Sequence, residues 1–175
     1  MSKRAVVAGI LGASSLAVGA GTASPAASKP SAFDVYYLKS SIQGDIFEIK
    51  GGTIAKSKGH NSAVRALGAR LVKDHSKSLS DAQKLTRRLG ISVPKSPTPP
   101  EQWELKQVSS ASGSAFDKAY SSLEVMDHEQ DISDTTDEIR SGSDAAVRAE
   151  ARKDLPILKT HLALSRKAVK ASASE

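Results

Sequence analysis

Three histidines, His75, His128 and His161, fall near the middle of three different stretches with helical periodicity, and Glu48 stands at comparable depth in a fourth. Imidazole nitrogens and a carboxylate gathered inside a helical bundle form one of two things. They bind a transition-metal ion, or they satisfy one another as a buried polar network. By ligand type, such a set suits one Zn, Cu, Ni or Fe ion without choosing among them. The remaining histidine, His60, sits between Gly59 and Asn61 in a turn and reads as solvated. The chain holds no cysteine, which excludes thiol nucleophiles, thiolate metal sites and disulfides. No Gly-x-Ser-x-Gly motif and no glycine-rich phosphate loop stands in the mature region, so the residues name no reaction.

The elements that must position these groups are helices. Apolar residues recur at helical spacing, glycine and proline collect at a few boundaries, and no alternating strand pattern is sustained. Ser31 and Asp34 have capping-box spacing ahead of a first long helix reaching about Lys56. One face carries Val35, Leu38, Ile42, Ile46 and Ile49, while the other carries Phe33, Tyr37, Gly44, Glu48, Gly51 and Ala55 around a single carboxylate. Ser62 is the expected cap of a second helix, in which Val64, Leu71, Leu79 and Ala82 share an arc with His75 and Gly90 supplies the stop. Residues 91–100 contain four prolines and should run extended, followed by a short helix from Glu101 to about Ser110 whose Trp103 is expected to plug one end of the core. Ser114 and Asp117 repeat the capping-box spacing and open a helix to about Arg140, with His128 beside Ser121 and Thr135. A last helix begins near Ser143 and places Asp154, Leu158, His161 and Ser165 on one stripe; Pro156 within it should bend or break it. Asp74 points about 100° from His75 and reads as a surface charge.

The expected architecture is all-α: an antiparallel four-helix bundle with a Pro-rich connection between its second and third long helices and a short extra helix. Two tight joins suggest up-down-up-down order. Counted from turns placed at one end, Glu48, His75, His128 and His161 lie about 17, 23, 21 and 28 Å down, at about 1.5 Å per residue. The bundle should span residues 31–170, preceded by a flexible segment 24–30 and followed by a frayed tail 171–175.

Residues 1–23 read as a signal peptide. Lys3 and Arg4 precede the charge-free stretch Ala5–Ala20, and Gly21 and Ala23 offer small residues for cleavage before Ser24. The stretch is short and weakly hydrophobic for a membrane span of about 20 residues. The expectation is export to the periplasm or extracellular envelope, with no stable transmembrane segment after cleavage. Removing Lys3 and Arg4 lowers the formal charge from +6 to +4. The basic residues are dispersed among acids with no aromatic interleaving, which argues against nucleic acid and leaves weak attraction to anionic envelope polymers.

The run GDIFEIKGGTIA from Gly44 to Ala55, Asp74-His75 after Leu71-Val72, Phe116-Asp117-x-x-Tyr120 with His128, and Leu155-Pro156 ahead of His161 resemble the DUF4142 family over nearly all the mature chain. The resemblance implies an exported, ferritin-like four-helix bundle of unknown function. The chain departs from ferritin-like di-iron proteins, which pair Glu-x-x-His motifs with two further glutamates. Val72, Val125 and Leu158 occupy the positions three before the histidines. Two functions therefore compete: metal binding through Glu48, His75, His128 and His161, and a non-enzymatic envelope stress or interaction module with a purely structural histidine network.

Overall fold

The computed structural model describes residues 29–174; the expected signal peptide and its cleavage point before Ser24 lie outside the described residues. Five helices follow in order: α1 (Ala32–Lys58), α2 (Ser62–Leu89), α3 (Pro99–Ser110), α4 (Gly113–Ser141) and α5 (Ala145–Ala173). No strand occurs among the described residues. Among these residues, no helix is long and apolar enough to cross a membrane.

Local chemistry explains most boundaries. The Ser31 hydroxyl accepts from the Asp34 amide and the Asp34 carboxylate accepts from the Ser31 amide, the reciprocal box expected from their spacing. The cap of α2 is Asn61 rather than Ser62, its side chain accepting from the Ala63 amide at 2.8 Å. Gly90 ends that helix at φ 68°, a left-handed position that glycine adopts at no steric cost. The extended connection is shorter than expected. Thr98 and Glu101 form a second capping box, and Pro99 and Pro100 occupy the first helical positions of α3, where the missing amides would have been unpaired anyway.

The order of the long helices differs from the up-down-up-down expectation. The Asp34 carboxylate, at the start of α1, accepts from the Ser143 and Asp144 amides between α4 and α5, at 2.9 and 3.0 Å. Asp117, at the start of α4, accepts from the His60 and Asn61 amides between α1 and α2. The two tight turns therefore lie at opposite ends, with α1 antiparallel to both α2 and α4. The segment from Gly90 to Ser112 must return the full length of the bundle, which is why it is long; α3 packs on α1 and α4 as it climbs. One long crossover is the ferritin-like solution.

Several sequence expectations are corrected by this packing. Trp103 is 63% exposed on α3 and plugs nothing. Ser112, not Ser114, precedes α4 and makes no side-chain cap, while Asp117 serves the α1–α2 turn instead of its own helix. Helix α5 runs unbroken through Pro156, because both Pro156 and Arg152, whose carbonyl loses its donor, lie on the exposed face where water can replace the bond. The same helix continues to Ala173 with Ala168 and Ser172 buried, past the point where fraying was expected.

The apolar interior is split. One cluster of Leu67, Leu71, Phe116, Tyr120 and their neighbours fills the end containing the α1–α2 turn. A second, with Tyr37, Leu38, Leu85, Val147 and Ala151, fills the other. Between them lies a polar layer that contains the histidines. Gly52 and Gly68 set the spacing of α1 and α2: a Cβ on Gly68 would stand 2.6 Å from the Gly52 carbonyl oxygen.

Candidate metal centre

His75, His128 and His161 converge in that layer. Their ring centroids are 5.8, 5.0 and 5.2 Å apart, and one nitrogen from each lies within 4.8 Å of the others. His128 and His161 are fully buried and His75 is 5% exposed. Convergence survives the corrected topology because each residue stands near mid-helix. Measured from the α1–α2 turn end, Glu48, His75, His128 and His161 lie at about 15, 20, 22 and 18 Å, a narrower spread than the sequence reading had.

Each ring has one nitrogen held and one without a partner. His75 Nδ1 is 2.8 Å from Asp45 Oδ1, His161 Nε2 is 3.0 Å from Asp74 Oδ2, and His128 Nδ1 is 2.8 Å from the Glu124 carbonyl oxygen. Carboxylates and carbonyls accept, so these nitrogens carry the ring hydrogens and donate them. The opposite nitrogens, His75 Nε2, His128 Nε2 and His161 Nδ1, are buried with no hydrogen-bond partner. Burial holds His75 and His161 down to about 4 and, with the other two rings adding to it, His128 to about 3. Near neutral pH all three are uncharged rings with a free lone pair.

Glu48 does not join the three-histidine group. It belongs to a second one, with Asp127 and His128, whose ligand atoms also lie within 4.8 Å of one another. Glu48 Oε1 is 3.7 Å and Glu124 Oε2 3.6 Å from His128 Nδ1. Glu48 and Glu124 are fully buried, and all four of their carboxyl oxygens lack partners, as does the Tyr120 hydroxyl. Burial, reinforced by neighbouring Glu124 and Asp127, pushes Glu48 well above the usual carboxylate range, and burial raises Glu124 to about 8. Like charges this close, out of water, share protons rather than all ionise.

Sequence reasoning missed Asp45, Asp74, Glu124 and Asp127. Asp74 was read as a surface charge, yet it bridges Arg70 and His161; a residue pointing about 100° from His75 still meets a neighbouring helix. Glu124 carried a readable signal, since it stands four before His128 on the same face of α4, whereas attention to three-residue spacing passed over it. Asp45 stands three before Glu48, again on one face.

The centre has an approach. A cavity of about 450 Å³ opens between the helices and reaches His75, His161 and Asp127, while His128, Glu48 and Glu124 lie behind its wall.

The family model for DUF4142, a domain of unknown function, matches residues 19–167. The chain belongs to the DUF4142 family. This DUF4142 chain also superimposes on a crystal structure of a DUF305 fragment from Deinococcus radiodurans, with a TM-score of 0.72 and 12% identity over 82% of this chain and 99% of that one. At that identity the likeness concerns the fold alone. No curated protein sequence matches the chain. The DUF4142 fold is therefore an all-α bundle, and the chemistry must be argued from its side chains.

Proposed function

We propose that this DUF4142 chain is an exported metal-binding protein that holds one transition-metal ion between His75, His128 and His161. The carrying observation is the pairing pattern: three converging rings, each with one nitrogen anchored and the other buried and unpartnered. A network kept only for structure gives both nitrogens of a buried histidine a partner, because an unmet polar atom costs about 1–3 kcal/mol. Three such atoms on rings that meet in one layer are explained by a ligand that accepts three lone pairs. The anchoring groups Asp45, Asp74 and the Glu124 carbonyl have the part that outer partners play at metal sites, fixing each ring's tautomer and orientation. Metal–nitrogen bonds of about 2.0–2.1 Å require the rings to close by less than about 1 Å from a 4.8 Å limit. Glu48, Glu124 and Asp127 can release their shared protons to balance the charge of a divalent ion in a dry interior, with Glu48 beside His128. An ion so enclosed is bound, stored or buffered.

Untagged mature protein, loaded separately with Zn²⁺, Cu²⁺, Ni²⁺ and Fe²⁺ and then desalted, should retain one ion per chain by elemental analysis. His75→Ala and His161→Ala should weaken binding by at least 100-fold, whereas His60→Ala, at an exposed position, should not. Failure of every metal to bind stoichiometrically sinks the proposal. Export is tested by intact mass: a chain recovered from the envelope should begin at Ser24, and an unprocessed Met1 terminus would count against it.

A further inference from the structure

The cavity that reaches the histidines is lined far more by acids than by bases. Nine carboxylates line it against three basic side chains, Arg70, Lys77 and Lys153. Each of the three is already paired, with Asp74, Asp81 and Glu150 respectively. Among the described residues no Lys or Arg ion pair reaches the other six. One of these, Asp45, is 4% exposed, lines the cavity and leaves Oδ2 without a partner. The cavity is thus built to receive positive charge that the chain does not provide.

Its shape and walls say what kind of cation. Tyr36, Tyr37, Ile157 and Leu158 put aromatic and aliphatic surface between the acids. A smaller recess of about 50 Å³ adjoins it, sharing Tyr36, Tyr37, Ser40 and Asp134 and adding Phe33 and Asp137, so the site is elongated. Asp131, Asp134 and Asp154 belong to neither group of groups spaced to grasp one ion. A hydrated ion with six waters, at about 30 Å³ each, would occupy less than half of the cavity and would gain nothing from its apolar walls. A flexible chain with ammonium groups separated by methylenes matches both features, its charges meeting spaced carboxylates and its methylenes the tyrosine, isoleucine and leucine surfaces.

We propose that this acidic cavity is a binding site for a linear aliphatic polyamine. It goes beyond the metal reading and does not depend on it: the carboxylates that bond the histidines are Asp45 and Asp74, whereas the cavity is also lined by Asp131 and Asp154. The test is titration calorimetry on untagged, chelator-treated protein with spermidine, putrescine and MgCl₂ at about 0.15 M ionic strength, where long-range attraction is screened beyond about 8 Å. Spermidine should bind one per chain, more tightly than putrescine. The Asp131→Asn/Asp154→Asn double variant should weaken spermidine by at least tenfold, and the single Asp134→Asn, at the junction of the two recesses, by a few fold, guarding against a double variant that fails to fold. Saturable spermidine binding in a chain that retains no metal separates this site from the histidine centre. The proposal is overturned if spermidine binding is absent, if it is unchanged in a folded double variant, or if Mg²⁺ displaces it at equal charge concentration.

Discussion

Glu124 is expensive for the metal-free protein, and its replacement should show how much. The side chain is fully buried, and that burial, with the neighbouring Asp127 charge, raises its pKa from the usual 4.5 to about 8. Between those values the folded chain keeps a proton that the unfolded chain has released, so stability falls as pH rises from about 4.5 to about 8. At pH 7 the group is 2.5 pH units above its unfolded pKa; at 1.36 kcal/mol per unit the penalty is about 3 kcal/mol. Glu124→Gln keeps the shape and removes the titration. Its second amide hydrogen, buried without a new partner, costs about 1 kcal/mol. The variant should therefore be more stable than the parent by about 2 kcal/mol at pH 7, a rise in Tm of roughly 4–8 °C for a domain of this size. At pH 4.5 the penalty is nearly gone while the amide's cost remains, so the variant should be slightly less stable than the parent. The three histidines, depressed by burial, lose stability as pH falls below their unfolded value of 6.5, but they do so in both proteins and cancel in the difference. Scanning calorimetry in chelator at pH 4.5 and 7 measures the two differences. Equal destabilisation at both pH values would refute the reasoning, because it would mean that Glu124 is held by partners rather than stranded.

Two further predictions concern the scaffold. Gly68→Ala would press its Cβ to 2.6 Å from the Gly52 carbonyl oxygen and 2.9 Å from the Lys56 nitrogen, both backbone, so the helices must part; a net loss of roughly 2 kcal/mol is expected in urea unfolding despite alanine's better helix propensity. Asp117→Ala removes the acceptor for the His60 and Asn61 amides in the α1–α2 turn and should cost about 2 kcal/mol by the same measurement, while leaving metal stoichiometry at the distant histidines unchanged.

The fold was largely legible in the sequence because its determinants are local. Helical spacing of apolar residues, the Ser31–Asp34 box and the Gly90 stop each act within a few residues of themselves. The inward direction of the three histidines follows from the same periodicity, and their meeting follows from their mid-helix positions, which tolerate an error in helix order. Helix order itself is not local: two tight turns look alike in sequence whether they share an end or not, and only the contacts of Asp34 and Asp117 across the bundle distinguish the cases.

What sequence could not decide is which polar groups share a layer. Asp45 to His75, Asp74 to His161 and Glu48 beside Glu124 and Asp127 are contacts between helices, set by rotation and depth to a fraction of a turn, and boundary errors of about 2–4 residues erase that information. Periodicity alone places a histidine inside. For His75 and His161, only tertiary packing determines that one nitrogen is anchored and the other left bare, because the anchor is a carboxylate that a neighbouring helix brings within about 3 Å.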